Sequence, residues 1–166
     1  SSSSSSGSAI EIDATGLGIR SGTSGRGIHG TFSKQTLDVG DTMTATLSFT
    51  TPATVGTDRD GALKFALMDL NNGGLAADLN SSSSAPNPLY VGQPGYMIDF
   101  DVNNDGNIAT KGDDNVVIRE HDLLATGGRF LGTTGEWNQL SASPDDNGGF
   151  GISASTDYVV VLSVTR

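Results

Sequence analysis

Thr42-Met43-Thr44-Ala45-Thr46-Leu47-Ser48-Phe49-Thr50 alternates hydroxylated and apolar residues without a break. Side chains of an extended strand point to opposite faces in turn, so Met43, Ala45, Leu47 and Phe49 share one face. The spacing predicts a strand with one buried face, since a helix would repeat its apolar residues every 3.6 positions. Gly40-Asp41 supplies a turn before the strand, and Thr51-Pro52 ends it.

The same reading extends along the chain. Leu63, Phe65 and Leu67 predict a strand over Ala62 to Asp69, and Tyr96, Ile98 and Phe100 one over Gly95 to Asp101. Val116 to His121 reads as another, with Ile118 on one face and Arg119 on the other. A short strand is expected at Phe150 to Ser153, and a single helical turn near Leu70 to Leu79. Asp157 to Arg166 carries the run Tyr158-Val159-Val160-Val161-Leu162, which predicts a central strand covered on both faces. Short strands separated by turn signals define an all-β class: an antiparallel β-sandwich or jelly roll. Because the sequence stops on this apolar strand, further strands are expected, either from a following segment or from another subunit.

Composition narrows the function. The chain has 166 residues, with 19 acidic and 9 basic side chains and a formal net charge of -10. That balance argues against nucleic acid and against an anionic membrane surface, both of which need cations. The 23 glycines suit a chain of many turns, and the absence of cysteine excludes disulfides and thiolate chemistry. No apolar run approaches the roughly 18 residues of a membrane span. Ser1 to Ser8, serine but for Gly7, reads as a solvated linker, leaving residues 9–166 as one β-sandwich domain. Ser81 to Ser84, ahead of Ala85-Pro86-Asn87-Pro88, reads as a surface loop.

Asp101-Val102-Asn103-Asn104-Asp105-Gly106-Asn107 has the form D-x-N-x-D-G-N. Carboxylate and amide oxygens at alternate positions converge on a hard cation, and glycine at the sixth position permits the sharp turn. Asp101, Asn103 and Asp105 would offer side-chain oxygens, Asn107 its carbonyl, and Asp113 a further carboxylate, with Ca2+ favoured over Mg2+. The loop resembles the first half of a dockerin or EF-hand calcium loop over about seven residues. It departs from that pattern at the twelfth position, which is Gly112, and in lacking helical flanks. The alternative is a metal-free turn, because Asn, Asp and Gly favour turns on their own. Asp58-Arg59-Asp60-Gly61 and Asp145-Asp146-Asn147-Gly148 read more simply as turns.

Trp137, the only tryptophan, lies among glycines and polar residues, where an exposed indole would offer a platform for a sugar ring. The other reading has it plug the end of the core. Tyr90 and Tyr96, which flank Gly92-Gln93-Pro94-Gly95, carry the same pair of readings. Arg119 and His121, two apart on one strand, share a face that suits a hydroxyl-rich or acidic ligand, or a solvated surface with modest ion pairs. No G-x-S-x-G elbow and no H-E-x-x-H motif occurs. Glu120 and Glu136 are the pair of carboxylates to weigh for glycoside hydrolysis, and nothing in the sequence marks them as one. A non-enzyme is expected.

Gly30-Thr31-Phe32-Ser33, Thr36 to Thr42, Leu63-Lys64-Phe65-Ala66-Leu67, Gly95 to Phe100, Val117 to Glu120 and Leu162 to Arg166 follow one another in an order that resembles a known group. It is similar to the β-sandwich repeats of exported bacterial surface proteins of the PEP-CTERM type, and to polyserine-linked modules of marine polysaccharide-degrading enzymes. The resemblance spans most of residues 28–166 through soft strand-and-turn patterns. It implies a concanavalin-like jelly roll, export to the extracellular space and glycan binding, and it carries over no catalytic residue. The expected function is therefore a non-catalytic, calcium-stabilised carbohydrate-binding module of a secreted protein, its partner a plant or algal cell-wall polysaccharide. The alternative is a structural or adhesive domain of a surface, matrix or filament protein that assembles by strand pairing.

Overall fold

The computed structural model describes residues 10–13, 16–19, 30–53, 62–70, 90–101, 116–126, 136–142 and 152–166. Among these residues the chain is all-β, with eight strands and no helix: β1 (Ile10–Asp13), β2 (Gly16–Ile19), β3 (Thr42–Thr50), β4 (Ala62–Met68), β5 (Gly95–Asp101), β6 (Val116–His121), β7 (Trp137–Ala142) and β8 (Asp157–Thr165). They fall into two compact units.

The first unit contains the antiparallel hairpin β1–β2, registered from Ile10 opposite Ile19 to Asp13 opposite Gly16. It also holds two tight turns. One is closed by the Gln93 N–H donating to the Tyr90 carbonyl, the other by the Ala125 N–H donating to that of Asp122. Lys34 and Asp69 form a surface ion pair at 3.0 Å.

The second unit comprises two antiparallel sheets, the pair β3–β8 and the four-stranded β4-β5-β6-β7. β3 and β8 run opposite each other over their full length, from Thr42 opposite Thr165 to Thr50 opposite Asp157. The alternation of β3 does what the spacing predicts: Met43, Ala45, Leu47 and Phe49 are half-buried and the residues between them exposed. On the outer side, hydroxyls meet across the ribbon at Thr42–Thr165 (2.8 Å) and Thr44–Ser163 (3.1 Å), and Thr50 donates to Asp157 Oδ1 at 2.6 Å. Gly40, at φ 95°, makes the left-handed turn into β3 that a side chain would strain.

The core lies between the sheets. Ile98 of β5 packs with Val160 and Leu162 of β8, surrounded by Leu47, Phe49, Phe65, Leu67, Phe100, Val116 and Val164. Removing these surfaces from water drives the two layers together. Near one end of the ribbon Phe49 stacks on Tyr158, ring centroids 5.5 Å apart. There Thr51, buried, donates its hydroxyl to the Ser153 carbonyl at 2.6 Å and accepts from the Thr156 N–H at 2.9 Å. β4 and β5 approach closely at Gly95, where a Cβ would stand 2.8 Å from Met68 Cγ.

The structure corrects several expectations. β8 is not covered on both faces: Val160 and Leu162 are buried, but Val159 and Val161 are 65% and 53% exposed. Five apolar residues in a row conceal an ordinary one-sided strand. β7 and the β1–β2 hairpin were not expected from the sequence. Residues 152 and 153 are not strand, and Leu70, the one described residue of the expected helical turn, is not helical.

Candidate functional site

β8 has β3 on one edge, and among the described residues no strand pairs with the other. The hydrogen bonds at the ends of the ribbon fix which backbone groups face that second edge. The Thr51 N–H donates to the Thr156 carbonyl, and the Arg166 N–H to that of Asp41, so the even-numbered residues of β8 bond to β3. The N–H and C=O groups of Asp157, Val159, Val161, Ser163 and Thr165 therefore point outward along the open edge.

A groove of about 290 Å3 opens between the sheets beside this edge, with Phe49 of β3, Leu63 of β4 and Ile98 of β5 among its walls. Four consecutive residues, Tyr158 to Val161, line it. Consecutive side chains point to opposite faces, so a groove touching all four reaches the side of the strand as well as its inner face. Val116 and Ile118 of β6 and Phe100 of β5 also line it. β8 packs chiefly on β4 and β5, and Ile118 is 40% exposed on the inward face. Two strands over four leave apolar surface beside an open row of hydrogen-bonding groups.

Beyond the groove, the same face of the four-stranded sheet becomes polar. Tyr96 and Glu120 stand opposite each other across β5 and β6, and the Tyr96 hydroxyl donates to Glu120 Oε1 at 3.2 Å. Burial and the neighbouring carboxylate both push the Tyr96 hydroxyl above its ordinary pKa. Asn138 of β7, exposed, is opposite Glu120 on its other side.

Arg119 and His121 lie on the second face, as the alternation of β6 predicts. That face is not a solvated one. Met97, Val117, His121 and Trp137 are all buried on it, and His121 is 2% exposed. Arg119 Nε is 3.4 Å from Asp99 Oδ2, and Lys64 Nζ is 4.0 Å from the same oxygen, with all three side chains mostly shielded. His121 packs edge-on against Trp137, and neither of its ring nitrogens has a hydrogen-bond partner.

The indole of Trp137 begins β7 at 4% exposure, and Tyr90 is 5% exposed in its turn. Neither ring offers the exposed platform expected for a sugar; of the three aromatic candidates, only Tyr96 is not buried. Of the calcium-type loop, Asp101 ends β5, while Asn103, Asp105, Asn107 and Asp113 lie outside the described residues, as do the acidic turns at 58–61 and 145–148. Sequence reasoning expected a further strand beside β8, and among the described residues that edge is unpaired; what it missed is that Val159 and Val161 stand exposed along it. The signal that could have found it is the period of two hidden within the valine run.

The chain matches no family model, no curated protein and no solved structure.

Proposed function

We propose that this chain is a non-catalytic structural or adhesive domain of an exported surface or matrix protein, held in its assembly by strand addition along β8. The observation that carries the reading is the open β8 edge with Val159 and Val161 exposed beside an apolar groove. An exposed edge of this kind is a template for an added strand, and proteins that do not use such an edge blunt it with charge, proline or a bulge. β8 has no proline or bulge, and its one charged residue is Asp157, at its end. The acidic composition and the resemblance to exported β-sandwich repeats agree with this reading.

A capped nonapeptide of alternating valine and threonine tests it. The peptide is expected to slow amide exchange at Val159, Val161 and Ser163. Unchanged exchange at saturating peptide rejects strand addition.

One observation favours a second reading, a carbohydrate-binding module. Tyr96, Glu120 and Asn138 combine an aromatic ring, a carboxylate and an amide on one sheet face, the groups that hold sugar rings and hydroxyls. Ca2+ in the Asp101–Asn107 loop, between β5 and β6, belongs to this reading as a stabiliser of the sheet. Binding to plant or algal polysaccharides that disappears in Tyr96→Ala would support it; a blank glycan screen would remove it.

A further inference from the structure

We infer that the strand added to β8 is the β8 of a second copy of this chain, in an antiparallel pair centred on Val161. The inference rests on the assembly reading and adds the partner and its register.

The argument is the self-complementarity of the strand. An antiparallel pair of identical strands has a two-fold axis, the isologous arrangement of most dimers. With the axis at Val161, Val160 stands opposite Leu162 of the second copy, and Tyr158 opposite Val164. These are the inward residues of β8, half-buried or buried in each copy. The two inner layers would join into one apolar surface extending over the groove. On the outward face Val161 meets itself, Val159 meets Ser163, and Asp157 meets Thr165. No charge faces a like charge, the arrangement that would oppose pairing.

Backbone geometry allows this axis, as it does any axis through a residue of β8, and of these Val161, the middle residue, pairs the strand over its full length. The outward N–H and C=O groups belong to odd-numbered residues, and the register places Val161 opposite Val161, Val159 opposite Ser163 and Asp157 opposite Thr165. Each of these is an odd residue facing an odd residue, the condition for hydrogen-bonded pairs in an antiparallel ladder. A slip that placed the axis between adjacent residues would pair odd with even and break it. β3, by contrast, turns Thr44, Thr46 and Ser48 outward, so along its other edge, unpaired among the described residues, the outer face carries hydroxyls where β8 carries valines.

Each copy carries a formal charge of -10, which opposes close approach through solvent and is screened by salt. Dimerisation is therefore expected to tighten as ionic strength rises, the reverse of an interface held by ion pairs.

The test is sedimentation equilibrium of the full chain across concentration, at low and high salt, with a spin label on Val161→Cys, the only thiol in the chain. A monomer–dimer equilibrium strengthened by salt, with one short and narrow distance between labels, is the expected result. Val161→Pro removes an N–H that faces the open edge and not β3. Two hydrogen bonds across the axis are lost, and the dimer is expected to weaken about tenfold or more. Val161→Lys serves should the proline variant melt early, and Val39→Ser, on an exposed residue outside β8, should leave the dimer unchanged. A dimer with distant labels overturns the register. A chain that stays monomeric while the valine–threonine nonapeptide protects Val159, Val161 and Ser163 overturns the second copy as partner and leaves strand addition standing. Failure of both measurements rejects the assembly reading itself.

Discussion

His121 packs edge-on against Trp137, ring centroids 4.8 Å apart at an interplanar angle of 74°. The contact joins the ends of β6 and β7, where the two residues stand directly opposite. Because the imidazole nitrogens make no hydrogen bond while buried, their desolvation is uncompensated and the ring contributes by packing alone. His121→Leu is accordingly expected to be neutral or stabilising, within about 1 kcal/mol. Trp137→Ala, which empties the larger volume, should cost about 3–5 kcal/mol. Urea unfolding of both variants checks this, and a loss in His121→Leu as large as that in Trp137→Ala would show that the imidazole nitrogens matter.

Asp99 holds two cations. Replacing it by asparagine leaves Lys64 and Arg119 beside a neutral group in a poorly hydrated place. The expected cost is roughly 2–3 kcal/mol, more than an exposed pair such as Lys34–Asp69 would lose. Denaturant midpoints of Asp99→Asn and Asp69→Asn give the comparison.

Thr51 ties the turn before β8 to the end of β3 with a single hydroxyl. Thr51→Val keeps the shape but strands the Thr156 N–H and weakens the hold on the Ser153 carbonyl. A loss of about 1–3 kcal/mol is expected, with faster exchange at Thr156.

Alkaline titration reports on Tyr90. Burial pushes its hydroxyl up to about 12 from an ordinary value near 10. The folded state therefore keeps this proton where the unfolded chain has released it. The stabilisation is fully present below pH 10 and is lost as pH rises through 10 towards 12. Melting temperature should fall across that window, and Tyr90→Phe should flatten the fall. An equal decline in both proteins would assign it to other groups.

Calcium is expected to raise the melting temperature of the chelator-treated chain, and Asp105→Ala to remove the increment. No shift and no heat on titration would leave the Asp101–Asn107 stretch as a metal-free turn.

Where alternation is strict and one-sided, the strands are legible in the sequence. β5 and β6 have the predicted bounds, and β4 and β8 each end one residue early. β7 was hidden because Asn138, Gln139 and Ser141 give little contrast, and a register shift at Ile118/Arg119 breaks its pairing with β6. The short hairpin β1–β2 carries too few residues for a period to emerge. The site was less legible. Arg119 and His121 share a face as expected, but period two does not say whether a face meets water, and Trp137 in a glycine-rich stretch has the look of a loop. Whether an edge is paired depends on partners distant in the chain, which a local pattern does not contain.

β3 and β8 are joined residue for residue although more than a hundred positions separate them along the chain. A chain synthesised from its N-terminus holds Met43, Ala45, Leu47 and Phe49 without their β8 partners until about a hundred further residues have been made. The apolar layer, whose buried centre includes Val160 and Leu162 of β8, is complete only once that strand has been made. Until then the apolar face of β3 is open to premature pairing, the hazard that long-range strand pairing brings to folding.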